Sequence, residues 1–536
     1  MKKVFINLCA IAFLTSCQQV AVLEVLSQDT ASPQIPSMTE IHFDSLPQAI
    51  IGEKVPNPLE ISNIHKAFNL LNAKTKAGIS ADDIVATHHY VAFTPTNEYE
   101  LASVESLDEE EIVIHYFPTD YEVSDGILVP DERFSKNGYS YIWAYIPINY
   151  DLSAIQCPYI YYYDIVAIDD ESPVTKSGCD LPLPLQEALY KKSCEICGKA
   201  ISPIIKTKAD VHPSGYIKFF DSDPYYQSFR GVEGFKVRAI RGLHHCYMNC
   251  DANGYFYSSD TFKYSFQYEL MFRRDNFEIR RGEDTNVAVI KISGQSGPIN
   301  VSFSDDETCF MATIDRAAIT YYYGNNLGLR RPPIPSGNIA RPAIQAIMGA
   351  SNKPFEKGKF SLYYVGDLLN RPKSYIFRLF NGAPLTNAEI YETTIHELAH
   401  SVHWAKDHSF DNNYDDFVKE SYAKGIAWAI TKEEYPNHVP EYFKEAYTGI
   451  IQDLVDPAGI TKSSYYVAKK INGDWTTIPN YSSYIDMCSN MDLTVIENIA
   501  LDSSNMFDWA QNLIIYYPFE ESHLVSSFHF WSNNQY

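Results

Sequence analysis

The sequence predicts a multidomain α+β chain: an N-terminal α/β module, a small β-sandwich and a C-terminal domain built around one long helix. Three observations carry this. The chain has 536 residues, a length that suits two to four domains, and 45% of them are hydrophobic, enough for real cores. Short runs of strand type separated by turn residues recur up to about residue 282. From Thr386 a pattern of helical period takes over, with no Gly or Pro before Ala405.

Taken in order, the first element is a targeting segment. Lys2 and Lys3 form a positive start, and Val4 to Phe13 is mostly apolar but too short to span a bilayer. Leu14-Thr15-Ser16-Cys17 resembles the bacterial lipobox. That resemblance implies a lipoprotein signal peptide over 1–16, cleavage before Cys17 and lipidation of its thiol. Residues 17–39 read as a tether, with few charges and several Ser, Pro and Thr. No other run reaches eighteen apolar residues, so the expectation is an exported chain held at a membrane by lipid alone. Gln18 rather than Asp follows the lipidated position, which favours the outer membrane or cell surface.

Residues 40–165 read as the α/β module. A helical pattern spans Ile61 to Leu71, and strand patterns span His88 to Phe93, Glu111 to Phe117 and Tyr139 to Ile146. The runs 86–95 and 116–121 resemble an N-terminal module of surface lipoproteins from Gram-negative gut bacteria. His88, His89 and His115 lie on or beside strands and read as packing residues. Residues 166–210 read as a connecting segment carrying Cys194 and Cys197. With Cys246 and Cys250 these can be written as a structural zinc site, but the gap is long for one. Disulfides or buried free thiols are the expectation.

Residues 211–282 read as the β-sandwich. Strands are expected at Tyr216 to Asp221, over the alternating run Val232 to Ala239, and after the turn at Asp251 to Gly254. The segment resembles carboxypeptidase regulatory-like domains. The Asp251, Asn253 and Asp260 spacing does not meet the EF-hand calcium pattern.

The C-terminal domain spans 285–536. Phe360 to Val365 and Tyr375 to Phe380 are candidate strands just upstream of its long helix, and one of them can take an extended peptide by strand addition. Thr386 and Glu389 fit a capping box. On the helix stands His396-Glu397-Leu398-Ala399-His400, which is H-E-x-x-H. Residues four apart share a helix face, so both imidazoles reach one Zn²⁺. Glu397 is placed to take a proton from water at the metal. A catalytic site of this kind uses a third protein ligand. His403 stacks along the same straight helix and cannot readily surround a tetrahedral ion. Glu420, on an expected second helix with acidic residues at its start, can approach from the open side. A helix is also expected over Glu441 to Leu454.

His396, Glu397, His400 and Glu420 resemble the gluzincin clan of zincin metallopeptidases. The resemblance implies a zincin-like catalytic domain with His396, His400 and Glu420 as metal ligands and Glu397 as the catalytic base. In thermolysin-like members an Asp four residues after the ligand Glu supports a zinc-binding His. Here that position is Lys424. No Gly-x-x-His follows the motif, so the metzincin pattern is not met.

The function expected is hydrolysis of peptide bonds in protein or peptide substrates. The rivals are an amidase acting on peptidoglycan, and a non-catalytic adhesion or nutrient-capture lipoprotein. A formal charge of −24 argues against nucleic acid as a partner. Tyr422, Tyr447, His523 and His529 are candidates to stabilise the transition state, and the sequence selects none of them.

Overall fold

A computed structural model of the chain describes residues 38–71, 80–110, 112–168, 181–199, 211–334, 341–349, 358–363, 374–382, 385–407, 414–440, 442–443, 448–457, 459–471, 474–486 and 488–531. The signal segment and Cys17 lie outside them. The architecture is mixed α and β, with seven sheets and ten α-helices among the described residues.

Helix α1 (Ile61–Leu71) falls where its apolar spacing placed it. The strand His88–Phe93 pairs antiparallel with Ile142–Pro147 and with Tyr159–Ile165. Ile114–His115 completes that sheet. It is the part of the strand expected over 111–117 that forms among the described residues; Glu111 lies outside them. Helix α2 (Glu98–Glu105) is capped by Asn97, whose side chain accepts from the Tyr99 and Glu100 amides at 3.1 and 3.0 Å. Within the expected connecting segment, helix α3 (Leu183–Ile196) buries Leu189 in one apolar cluster with Ile64, Ala67 and Phe68 of α1.

Two five-stranded sheets follow. One runs Thr39–Phe43, Ile299–Phe303, Ser214–Asp221, Ser228–Gly231, with Tyr255–Tyr257 also on Ser214–Asp221. The other runs His244–Asn249, Lys236–Arg241, Phe266–Met271, Val289–Gln295, Gly126–Ile127. Ile217, Phe219 and Val301 from the first share a hydrophobic core with Val237, Leu270 and Ile290 from the second. Strands from 39–43, 126–127 and 289–303 thus join those of 211–282. The parallel pairing of Ser214–Asp221 with Ile299–Phe303 covers what would otherwise be an exposed strand edge. The strand expected from Val232 starts instead at Lys236. Gly234 turns the chain at φ +75°, and a Cβ there would lie 2.7 Å from Ile319.

Helix α4 (Asp306–Tyr323) is capped by Asp305 and buried almost throughout. A four-stranded sheet then runs Glu278–Arg281, Ala343–Ile347, Ser374–Phe380, Gly358–Tyr363. Its first three strands are parallel, and the last is an antiparallel edge. Helices α5 (Asn387–Lys406) and α6 (Asp416–Glu434) pack together beside it. Of the helix expected over Glu441 to Leu454, Tyr442–Phe443 is instead a strand paired with Tyr465–Tyr466, α7 (Ile450–Val455) begins directly after Gly449, and residues 441 and 444–447 lie outside the described residues. A long hairpin, Gly459–Ile471 with Asp474–Asp486, precedes α8 (Leu493–Leu501), α9 (Met506–Tyr516) and α10 (Glu521–Trp531). Among the described residues no helix is long and apolar enough to cross a membrane.

Candidate metal centre

Helix α5 starts as its sequence requires. The Thr386 hydroxyl accepts from the Glu389 amide at 3.3 Å, and the Glu389 carboxylate accepts from the Thr386 amide at 2.8 Å. The first helical residue is fastened on two sides. The Asn387 carbonyl oxygen accepts from the Ser222 amide at 2.8 Å, and its amide nitrogen donates to Thr313 of α4 at 2.5 Å. Almost every side chain from Asn387 to Trp404 is buried, because α4, α6 and the sheet surround the helix. Helix α6 is capped by Asp415 at its start. At its end Glu434 meets Arg316 of α4 at 2.5 Å and also Arg230 of the first five-stranded sheet.

This scaffold brings three expected ligands together. His396 Nε2 and His400 Nε2 lie 3.1 Å apart, with Glu420 Oε2 at 3.1 Å from the first and 3.3 Å from the second. Among the described residues this is the group of His, Cys, Asp and Glu side chains that can hold a metal ion. The histidine side chains are 9% and 7% exposed and that of Glu420 is 26% exposed, so solvent reaches the donors from the Glu420 side.

The electrostatics favour the ligating form at Glu420 and His396 and oppose it at His400. Burial acts to raise the Glu420 carboxyl, but the two imidazoles outweigh it and hold it well below the usual carboxylate range. Burial lowers His396, with Glu420 opposing. In His400 the same burial is overcome by Glu420, and the ring is raised. An ionised carboxylate and a neutral His396 suit a cation, while the proton favoured on His400 is one that a metal must displace.

Glu397 is buried beside this group, and the edge strand comes down on it. A Cβ at Gly358 would lie 2.4 Å from Glu397 Oε1 and 2.7 Å from its Cγ. Only a residue without a side chain lets that strand pass the carboxylate so closely. Nothing in the sequence pointed to Gly358.

One turn along the same helix pair lies a second polar contact. Lys424 Nζ meets Glu392 Oε1 at 2.9 Å, and His438 Nε2 lies 3.1 Å from Glu392 Oε2. Burial acts to raise Glu392, yet Lys424 and His438 bring it down to about 2. Lys424 therefore occupies the place four residues after Glu420 as half of an ion pair. Its partner stands four residues before His396. That mirrored spacing was a readable signal; His438, beyond the end of α6, carried none.

Other candidates stand elsewhere. His403 is fully buried, with its ring edge-on to Tyr414 and Tyr422 at centroid distances of 4.6 and 5.4 Å, and it is not one of the metal-binding group. The Tyr422 hydroxyl donates to Glu497 of α8 at 3.2 Å inside the core. His523 pairs with Glu520 at 2.7 Å, and His529 is exposed on the same C-terminal helix. Tyr447 lies outside the described residues. Cys194, Cys197, Cys246 and Cys250 are free thiols and do not gather into a metal-binding group.

Comparison with protein-family models, with curated proteins and with solved structures returns no match.

Proposed function

We propose that the chain is a zinc metallopeptidase of the gluzincin type, carried on a lipoprotein at the outer membrane or cell surface. The observation that carries this reading is the His396–His400–Glu420 triangle with Glu397 beside it. Donors at zinc distances of about 2.0–2.1 Å in tetrahedral array are separated by about 3.3 Å, and the three separations here are 3.1, 3.1 and 3.3 Å. Two imidazoles and one carboxylate form the donor set of a hydrolytic zinc site. Zinc held there supplies a Lewis acid and an activated water.

The roles of the chain's own residues follow from their places. His396, His400 and Glu420 hold the ion. Glu397 takes a proton from the attacking water and delivers it to the leaving amine. The edge strand Gly358–Tyr363 offers its free backbone groups to an extended peptide, and Gly358 brings that strand against the base.

The test is turnover of an unstructured protein by the zinc-loaded chain. New amino termini should appear, stop with a chelator and return with added zinc. A chain that keeps one zinc, cleaves no peptide bond but opens peptidoglycan amides is an amidase instead. Cys17→Ala should lose incorporation of labelled fatty acid, and a variant that is still labelled removes the anchor from the reading.

A further inference from the structure

A cavity of about 270 Å³ lies where the N-terminal module, the 181–199 segment and the second five-stranded sheet meet, and no residue of α5 or α6 lines it. Its size is just below the range of roughly 300 Å³ upward typical of drug-sized ligands. Among the described residues three cationic side chains line it, Lys199, Arg241 and Lys291, and no Asp or Glu does. That contrast is sharp in a chain with 67 acidic and 43 basic residues.

The cations meet neutral groups rather than carboxylates at close range. Lys199 donates to the Thr119 carbonyl at 3.3 Å. Lys291 donates to the Val123 carbonyl at 2.6 Å and to the Ser293 hydroxyl at 2.5 Å, with half-exposed Asp125 at 3.8 Å. Arg241 donates to the Ser265 carbonyl at 2.7 Å and lies 5.1 and 4.5 Å from the ring centres of Tyr190 and Tyr264. The nearby acids are engaged elsewhere. Asp120 accepts from the Tyr90 hydroxyl at 3.0 Å, and Glu269 accepts from Arg238 at 3.0 Å. Burial holds Lys199 and Lys291 below the ordinary lysine range and outweighs Asp120, which acts to raise Lys199, and Asp125 and Glu269, which act to raise Lys291.

A separate observation comes from His115. Its ring lines the cavity and is buried, and among the described residues Nε2 has no hydrogen-bond partner. Burial keeps the imidazole neutral. A buried polar atom of this kind is normally satisfied by the protein, by ordered water or by a ligand. Phe117, Tyr145 and Tyr190 supply flat apolar walls.

We propose that this cavity binds a small organic anion of about monosaccharide size, its negative charge matched by Lys199, Arg241 and Lys291 and its body set against the aromatic walls and His115. The class is an acid group on a compact ring: a carboxylate, a phosphate ester or a sulfate ester.

The test is calorimetric titration of the full chain with glucose 6-phosphate, glucose 6-sulfate, glucuronate and uncharged glucose. At least one charged probe should bind tenfold or more tighter than glucose, and the three acid groups rank against one another. Lys199→Met and Lys291→Met keep the length of the side chain without its charge, and each should weaken that probe by at least tenfold. Equal binding of glucose and all three anions overturns the proposal. So does affinity that survives in both variants, as it would for an anion held at the metal centre. In the wild-type chain, the ¹⁵N resonances of His115 should shift on adding the tightest probe, whether or not a variant folds. Unmoved resonances at saturation overturn the proposal as well.

Discussion

Helices α5 and α6 run antiparallel and carry two carboxylates, one buried and one half-buried, one turn apart, with opposite solutions for their charge. Glu392 on α5 is met by Lys424 on α6, and His438 takes its second oxygen. Glu420 on α6 is met by His396 and His400 on α5. The first site carries its own cation, and the fold closes around it. The second collects two imidazole nitrogens and a carboxylate oxygen at ligand spacing. The same scaffold therefore yields a structural ion pair or a cation-binding centre according to whether lysine or histidine faces the acid. The Lys424 that departs from the thermolysin-like pattern belongs to the first site.

The comparison breaks most decisively at Glu397. Glu397→Gln leaves all three donors in place, so metal content measured by atomic absorption should not change. Peptide hydrolysis should fall by about 10² to 10⁴, the usual share of a general base. Loss of metal in this variant would place Glu397 among the ligands.

The self-neutralised site responds in stability instead. Lys424→Met leaves Glu392 buried without its ammonium and should cost about 3–5 kcal/mol in denaturant unfolding. The pair Glu392→Gln with Lys424→Met should recover most of that. The sign with pH is set by the carboxylate. Glu392 is depressed from 4.5 to about 2, so its contribution is complete above pH 4.5 and is lost as pH falls through about 2. Glu392→Gln should flatten that part of the acid unfolding curve.

The candidate metal centre should respond to added ion. Zinc at a hundredfold excess over its Kd should stabilise the wild-type chain by about 2.7 kcal/mol. Glu420→Ala should abolish that increment, and the Glu392–Lys424 double variant should keep it. The smallest effect is expected at His403, whose ring is packed between Tyr414 and Tyr422. His403→Phe should leave the zinc titration midpoint where it was, and a shifted midpoint would bring His403 into the centre.

What the sequence made legible was what repeats locally. The capping box at Thr386, the four-residue spacing of the histidines and the acidic start of α6 are near-neighbour patterns, and each stands as expected. Helix α4 was not anticipated because it is buried on every side, including Asp315 and Arg316, and so shows no amphipathic stripe. The pairing of Thr39–Phe43 with Ile299–Phe303 joins strands some 260 residues apart, as in the Asn300–Glu40 hydrogen bond, and no local pattern encodes it. The approach of Gly358 to Glu397 and of His438 to Glu392 is of the same non-local kind.

The double fastening of Asn387 sets the rotational phase of helix α5. Successive residues of an α-helix differ by about 100° around its axis. A slip of α5 by a single residue would swing both imidazoles a quarter-turn and more away from Glu420. Ser222 on one side and Thr313 on the other grip the first helical residue, so such a slip must break bonds to two separate elements at once. The candidate metal donors are thus indexed from Asn387, nine residues upstream of His396.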